Sequence, residues 1–473
     1  MASYSYVFPP PEYDFALFGF FSDVIATVFF PPPSDDDYDN NDGGSSRLIA
    51  SFALYGGAFV MRPLGGLIIG RIGDRHGRKR ALVLSLSLMA FPTFFVGCLP
   101  TYEQVGPLST ILLLICRLLQ GISVGGQLPA SLIYTVEMSP KEHWGYYGSL
   151  VMMSANIGTL LGSFVGVFIR LMLTDEQLVE WGWRLPFLSG ILIAFVSMYL
   201  DAHGKEHNPN VGGRIVDNDN DESDTKKGES NHSLGEVFKR ENLPALASAT
   251  LTPMLYGAGF YTTFVWMAIF MEVLVDPPIN HGFEISSMAL LFGIVLPLPL
   301  AGMLSDRWGR EKTMAVGAMG LGILGPFMLN IISSGDEVKA FFAQWTIGIF
   351  LVLFGGPMNA WLVEKFPAKI RLTSAAFGYD LAHCTASAFS PMVATLLVQQ
   401  YGVKAPGFIY PFFAVLSLIG MLLSTDIHRC GGIDYIDDNY ENEFQLAEGV
   451  KSGANPHMRP GDGMTRSVGG VVS

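Results

Sequence analysis

The stretch "GRIGDRHGRKRAL" (70–82) returns as "GMLSDRWGREKTM" (302–314), and no other feature constrains the fold of this chain as strongly. Gly70, Asp74, Arg75, Gly77 and Arg78 recur as Gly302, Asp306, Arg307, Gly309 and Arg310, each pair 232 residues apart. A period of that size spans half of the 473 residues, so the chain is built from two copies of one arrangement. Each copy is a charged turn set between long apolar runs. The fold must bury two apolar blocks in matching ways and leave two matching turns in water.

Composition decides the medium. Soluble domains carry about 25% charged residues, whereas this chain carries 15%, against 50% hydrophobic. Runs such as "LIASFALYGGAFVMRPLGGLIIG" (48–70) and "AFFAQWTIGIFLVLFGGPMNAWLV" (340–363) reach the length of about 20 residues that a helix needs to cross a bilayer. The fold class predicted is an all-α membrane protein with twelve transmembrane helices in two pseudo-symmetric six-helix bundles. The spans fall at 15–30, 48–70, 81–99, 108–134, 146–170 and 185–200, then at 245–272, 286–304, 313–333, 340–363, 372–399 and 406–425. Residues 1–200 form the first bundle, 201–242 a polar cytoplasmic linker, 243–425 the second bundle, and 426–473 a disordered cytoplasmic tail. The first span is short, so it either begins further back in irregular form or lacks its N-terminal half in this sequence.

The net charge of −13 is local, because the acids gather in 31–42, in 217–224 and after Ile433. Such runs are solvated loops. Four scattered cysteines give neither a metal spacing nor a disulfide framework, and no cleavable leader is visible. No phosphate-binding G-x-x-x-x-G-K-[ST] occurs, so the chain brings no ATPase, and "GLGILG" (320–325) lies inside a span as packing glycine. No nucleophile–base pair stands out, so an enzyme is not expected, nor a cofactor, nor a nucleic-acid partner.

Basic residues in short loops stay on the cytoplasmic side of a membrane. Loops after the second, fourth, eighth and tenth spans hold twelve Lys and Arg, against five on the other side. Both termini and the linker are therefore expected in the cytoplasm, and the run 34–42 outside. "NHS" at 231–233 would then escape glycosylation. A monomer in the plasma membrane is expected.

The positive-inside rule explains the arginines of the repeated turn, but not its aspartates. Asp74 and Asp306 each precede a short turn, where a carboxylate can accept backbone N–H bonds or meet a helix N-terminus. Gly70 and Gly302 allow a close backbone approach, and Gly77 and Gly309 allow the turn itself. Two six-helix repeats are the architecture of alternating-access transporters.

In these turns the sequence resembles the major facilitator superfamily, whose loop motif "GRIGDRHGRK" and "GMLSDRWGRE" reproduce. "RLLQGISVGG" (117–126) looks like its fourth-helix motif. "YDFALFGF" (13–20), "WGWRLPF" (181–187) and "FPAKIR" (366–371) are similar to its metabolite:proton symporter branch, which includes carriers of proline and betaine, α-ketoglutarate, citrate and shikimate. The resemblance covers about 12–425 and implies that the aspartates gate contact between the halves. It also marks departures. Gln127 stands where the branch has glutamate, and an amide cannot titrate; Trp144 stands where it has arginine.

Ionisable residues inside spans cost about 2.5–3.5 kcal/mol each on insertion scales, so each needs a reason. Asp23 reads as mid-span 1 and Arg117 as near the start of span 4. Asp380 and His383 sit three apart, on one face of span 11. Arg62 and Glu137 read as lying near cytoplasmic ends, with gating or structural roles. Tyr261 belongs to a set of rings that could surround a cation. Substrate or coupling roles therefore fall to Asp23, Arg117, Gln127, Tyr261, Asp380 and His383. The function expected is secondary active transport of a small polar metabolite, a betaine- or proline-like zwitterion, coupled to protons or sodium. Organic carboxylates are the alternative, with Arg117 as the anion partner, and a non-transporting membrane sensor is the remaining one. Asp380 is expected either to carry the coupling proton or to hold the cationic end of the substrate.

Overall fold

The computed structural model describes residues 12–31, 54, 56–203, 237–367 and 370–429. The acidic run 34–42, most of the 201–242 linker with Asn231, the tail from 430 and the Arg78 side chain lie outside the described residues. No strand occurs among them. Ten helices are long and apolar enough to cross a bilayer: α3 (Lys79–Cys98), α4 (Pro107–Glu137), α5 (Lys141–Met172), α6 (Asp175–Ala202), α7 (Leu243–Leu274), α8 (Gly282–Trp308), α9 (Arg310–Ile332), α10 (Glu337–Glu364), α11 (Arg371–Tyr401) and α12 (Ala405–Leu423). They follow α1, formed by Glu12–Phe20 and Ser22–Phe29, and α2, Arg62–His76. Together these are the twelve spans, α1–α6 in the first half and α7–α12 in the second.

The medium is written on the outside of the bundle. Phe168, Phe195, Phe327 and Phe412 are each about three-fifths exposed, on four different helices. Water would penalise so wide an apolar surface, and lipid does not. Inside, the helices approach closely wherever glycine removes the side chain. A Cβ on Gly125 would overlap the carbonyl oxygen of Arg62, and one on Gly65 that of Ile122, so α2 and α4 touch backbone to backbone.

Both repeated turns are built alike. Gly77 (φ 104°) ends α2 and opens α3, and Gly309 (φ 95°) ends α8 and opens α9. A side chain at that φ is strained, so glycine lets each helix pair reverse without a loop.

Several helices widen into π turns, at Leu178–Gly182, Tyr261–Trp266, Phe270–Leu274, Leu291–Val295 and His383–Ser387. Four of these five lie on α7, α8 and α11, in the second half. A π turn inserts a residue and rotates the face that follows it. That rotation separates residues which share a face in a regular helix.

Candidate functional site

At the end of the bundle that carries the charged turns, each aspartate of the repeat caps a helix of the opposite half. Asp74 is buried and accepts backbone N–H bonds from Thr373 (2.9 Å) and Leu372 (3.4 Å), with a further bond from the Thr373 hydroxyl. These are the first amides of α11. Asp306 accepts from Gly145 (2.9 Å) and Tyr146 (3.0 Å), near the start of α5. A carboxylate at a helix N-terminus satisfies orphan amides and meets the positive end of the helix dipole. The two clamps are related by the repeat: the aspartates are 232 residues apart, and the amides they cap are 227 apart.

The glycines before the clamps bring the helices together. A Cβ on Gly70 would lie 2.8 Å from the Thr373 Cα, and one on Gly302 would meet the Ser149 hydroxyl and the Gly145 carbonyl. Of the remaining residues of the repeat, Arg75 and Arg307 are exposed. Arg310 bonds Asp306 (2.9 Å) and Glu364 (2.6 Å) within its own half.

Two antiparallel seams run from the clamps into the bilayer. Along α5 and its partners, Asn359 Nδ2 donates to the Gly148 carbonyl (3.4 Å), Asn156 Nδ2 to the Tyr256 hydroxyl (3.3 Å), and Ser163 pairs with Ser287. Residues 145 to 163 cover about 27 Å of helix, close to the thickness of the hydrocarbon core. Along α2 and α11, Gly66 lies against Ala376 and Asp380, and Gly56 against Ala388 further from the clamp. The halves therefore touch along much of the length of both seams.

The membrane interior holds two buried ion pairs of opposite design. Arg117 Nη1 lies 3.3 Å from Asp14 Oδ2, with both side chains shielded, and also donates to Gln120 Oε1 at 2.9 Å. Its guanidinium sits 4.0 Å from the centre of the Phe18 ring and 4.8 Å from that of Phe15. This pair belongs wholly to the first half. Arg62 Nε lies 3.2 Å from Asp380 Oδ1, both side chains fully buried. That second pair joins α2 to α11, across the halves.

These pairings correct two sequence readings. Asp23 is not buried mid-span: its side chain is 57% exposed and bonds Arg170 at 2.7 Å. The buried acid of α1 is Asp14 instead. Arg62 is buried 12 positions, about 18 Å of helix, before Asp74, and so lies away from the clamped end; Glu137, by contrast, does lie at a helix end, where it bonds Arg371 of the other half (2.9 Å). Asp380 and His383 make different contacts, and Asp380 pairs with Arg62 of the other half. His383 opens a π turn and stacks on Tyr379 at 4.1 Å, with Gly257 of α7 beside its Nε2. Tyr261 is buried against Phe59 (5.3 Å between ring centres) and Phe260, and Gln127 is buried with its Oε1 lacking a hydrogen-bond partner among the described residues.

Residues 15–391 match the Major Facilitator Superfamily. The chain belongs to that superfamily. Among its curated relatives within it are the glycine betaine/proline/ectoine/pipecolic acid transporter OusA of Dickeya dadantii, 28% identical over 87% of this chain and 79% of that protein, and the proline/betaine transporter of Escherichia coli K12, 27% identical over 86% and 79%. The inner membrane metabolite transport protein YhjE of E. coli K12 is 30% identical over 80% and 83%. The superfamily fold is seen in the proton:xylose symporter XylE bound to 6-bromo-6-deoxy-D-glucose, with a TM-score of 0.67 at 20% identity over 87% of this chain and 94% of that one. This chain is a multi-pass membrane transporter and not an enzyme.

Sequence reasoning missed Asp14 and the partner of Asp380. Asp14 follows "PPPEY", which reads as a lead-in and not as bilayer interior. Arg62 and Asp380 are 318 residues apart, and only the antiparallel seam brings them together.

Proposed function

We propose that this protein carries a small zwitterionic osmolyte of the betaine or proline type across the plasma membrane, by rocking its two six-helix halves around a central site. The observation that carries the reading is the matched pair of clamps, Asp74 on α11 and Asp306 on α5. Each is a bond between halves at the same end, so both must break together when that end opens. The names of the relatives supply the substrate class, and retention of both clamps favours a working transporter over a sensor.

The clamped end is proposed to be cytoplasmic, with both termini on that side, from the excess of basic residues in its loops. The protein is proposed to act as a monomer. The coupling ion is proposed to be the proton, and Asp14 is the group we assign to it. Arg117 travels with Asp14 in the same half, so rocking does not separate them. Protonation of the carboxylate is what would release the guanidinium, and it would change the charge of that pair without moving a helix.

Purified protein in proteoliposomes with an imposed pH gradient tests this. Labelled betaine or proline should accumulate, and a protonophore should abolish the accumulation. Uptake of citrate or α-ketoglutarate with neither zwitterion moving would replace the substrate class.

A further inference from the structure

Arg62 and Asp380 pose a physical problem that the clamps do not. A buried ion pair contributes little to stability over a well-packed apolar pair, whereas separating its members leaves two uncompensated charges. This one joins α2 to α11, which lie on opposite halves, at a depth that forbids easy solvation. Gly66, beside Asp380 Oδ2, is eight residues and about 12 Å of helix from Asp74. Rocking that parts α2 from α11 at this depth must break the pair. Some species has to take both charges when that happens.

The surroundings indicate which species suits. Arg62 lies 5.2 Å from the Phe59 ring centre, and Phe59 meets Tyr261 edge-on. Tyr379 precedes Asp380 and stacks on His383. Tyr261 opens the π turn of α7, and His383 that of α11. The seam between those helices also holds Ser387 Oγ, which is buried and has no hydrogen-bond partner among the described residues. Aromatic faces beside a carboxylate suit an alkylated ammonium, and a guanidinium suits a carboxylate.

We infer that Arg62 and Asp380 are the two substrate-binding charges, exchanged between each other and a zwitterion. The substrate carboxylate takes the place of Asp380 at Arg62, and its cationic nitrogen takes the place of Arg62 at Asp380. One ion pair becomes two, and no bare charge remains. An ion of single sign satisfies one residue and strands the other, so the exchange selects molecules carrying both charges. This rests on the zwitterion reading above and adds the residues that enforce it.

Three probes of one shape test it by equilibrium binding to the purified protein: glycine betaine, choline, which lacks the carboxylate, and 3,3-dimethylbutyrate, which lacks the cation. Wild type should bind betaine and hold each singly charged probe roughly 10- to 100-fold more weakly. The paired variant Arg62→Gln with Asp380→Asn strands no charge, so it should fold and lose betaine by a similar factor. Asp380→Asn alone should shift preference towards 3,3-dimethylbutyrate, and Arg62→Gln alone towards choline. Betaine bound by the paired variant at the wild-type Kd overturns the inference and leaves the transport reading intact. If the variants fail to fold, equal wild-type affinity for all three probes overturns it. A wild type that binds no zwitterion overturns both readings together.

Discussion

Trp144 stands where Arg371 stands in the other half, 227 residues away, and of the two only Arg371 bridges the halves ionically. Arg371 Nη1 lies 2.9 Å from Glu137 at the end of α4. The matching acid, Glu364 at the end of α10, has no arginine at position 144 to meet, and bonds Arg310 of its own half instead. Trp144 is buried and turns its indole N–H to the Ser139 carbonyl (3.1 Å). The repeat thus keeps two clamps of backbone and carboxylate, but only one of the two matched acids reaches across.

Arg371→Gln should therefore loosen the clamped end more than Arg310→Gln. The first removes the ionic bond that joins the halves at Glu137, which is nearly buried, and costs the closed arrangement about 3 kcal/mol. The second breaks bonds inside one half and leaves the amide bonds to Asp306 in place, at a cost of about 1 kcal/mol or less. Hydrogen exchange read at residues 370–376 and 144–148 measures both. Faster exchange at 370–376 in Arg371→Gln alone is the expected result, and equal changes in the two variants would show that the asymmetry has no energetic weight.

Asp74→Ala should bias the protein towards the state open at that end. It removes three bonds to the first residues of α11, and capping carboxylates are worth about 0.5–2 kcal/mol each. A bias near the middle of that range moves a two-state equilibrium by roughly tenfold. Asp306→Ala should do less. Asp306 is the more exposed of the two, and the second turn has Glu311 where the first has Lys79. Uptake rates of both variants, set against unchanged betaine affinity, measure the effect. Normal uptake by both would reduce the repeated turn to a topology signal.

Gly125→Ala should fail differently, by disrupting one half. Its methyl group has no room against the Arg62 carbonyl, so α2 and α4 must separate by a fraction of an ångström or more. Overpacking of that kind costs about 1–3 kcal/mol, which a lowered Tm in detergent would record. A variant as stable as wild type would mean that the two backbones approach less closely than this.

Orientation has its own check, on residues outside the described ones. Ser233→Cys should resist an impermeant thiol reagent in intact cells, while cysteines at 36 and 39 react. Asn231 should stay unglycosylated. External labelling at 233 would invert the proposed topology.

The spans, the repeat and the charged turns were legible because each follows from periodicity or from the cost of burying charge. Gly77 and Asp74 could be read as a turn and a cap because their chemistry is local. The interior pairs could not. Asp380 has no basic residue within a helical turn in sequence, and its partner is supplied by an antiparallel seam whose register no single helix encodes. Asp23 misled because apolar flanks look alike at the middle and the end of a span, and only its exposure and its bond to Arg170 tell them apart.

The two interior pairs should separate in function because one moves with its half and the other spans the halves. Asp14→Asn keeps the size of the side chain and an amide oxygen for Arg117, which also retains Gln120 and the Phe15 and Phe18 rings. The variant should fold and bind betaine, because its site lies elsewhere. An amide cannot take up the proton, however, so the gradient loses its hold on the cycle. Counterflow exchange of betaine should continue while accumulation driven by a pH gradient disappears. Asp380→Asn should behave otherwise, losing exchange and accumulation together, since it removes the contact for the cationic end of the substrate. The two assays on the two variants give four readings. Uphill accumulation surviving in Asp14→Asn at the wild-type rate would remove the proton from that residue and return Asp380 as the carboxylate to test for it.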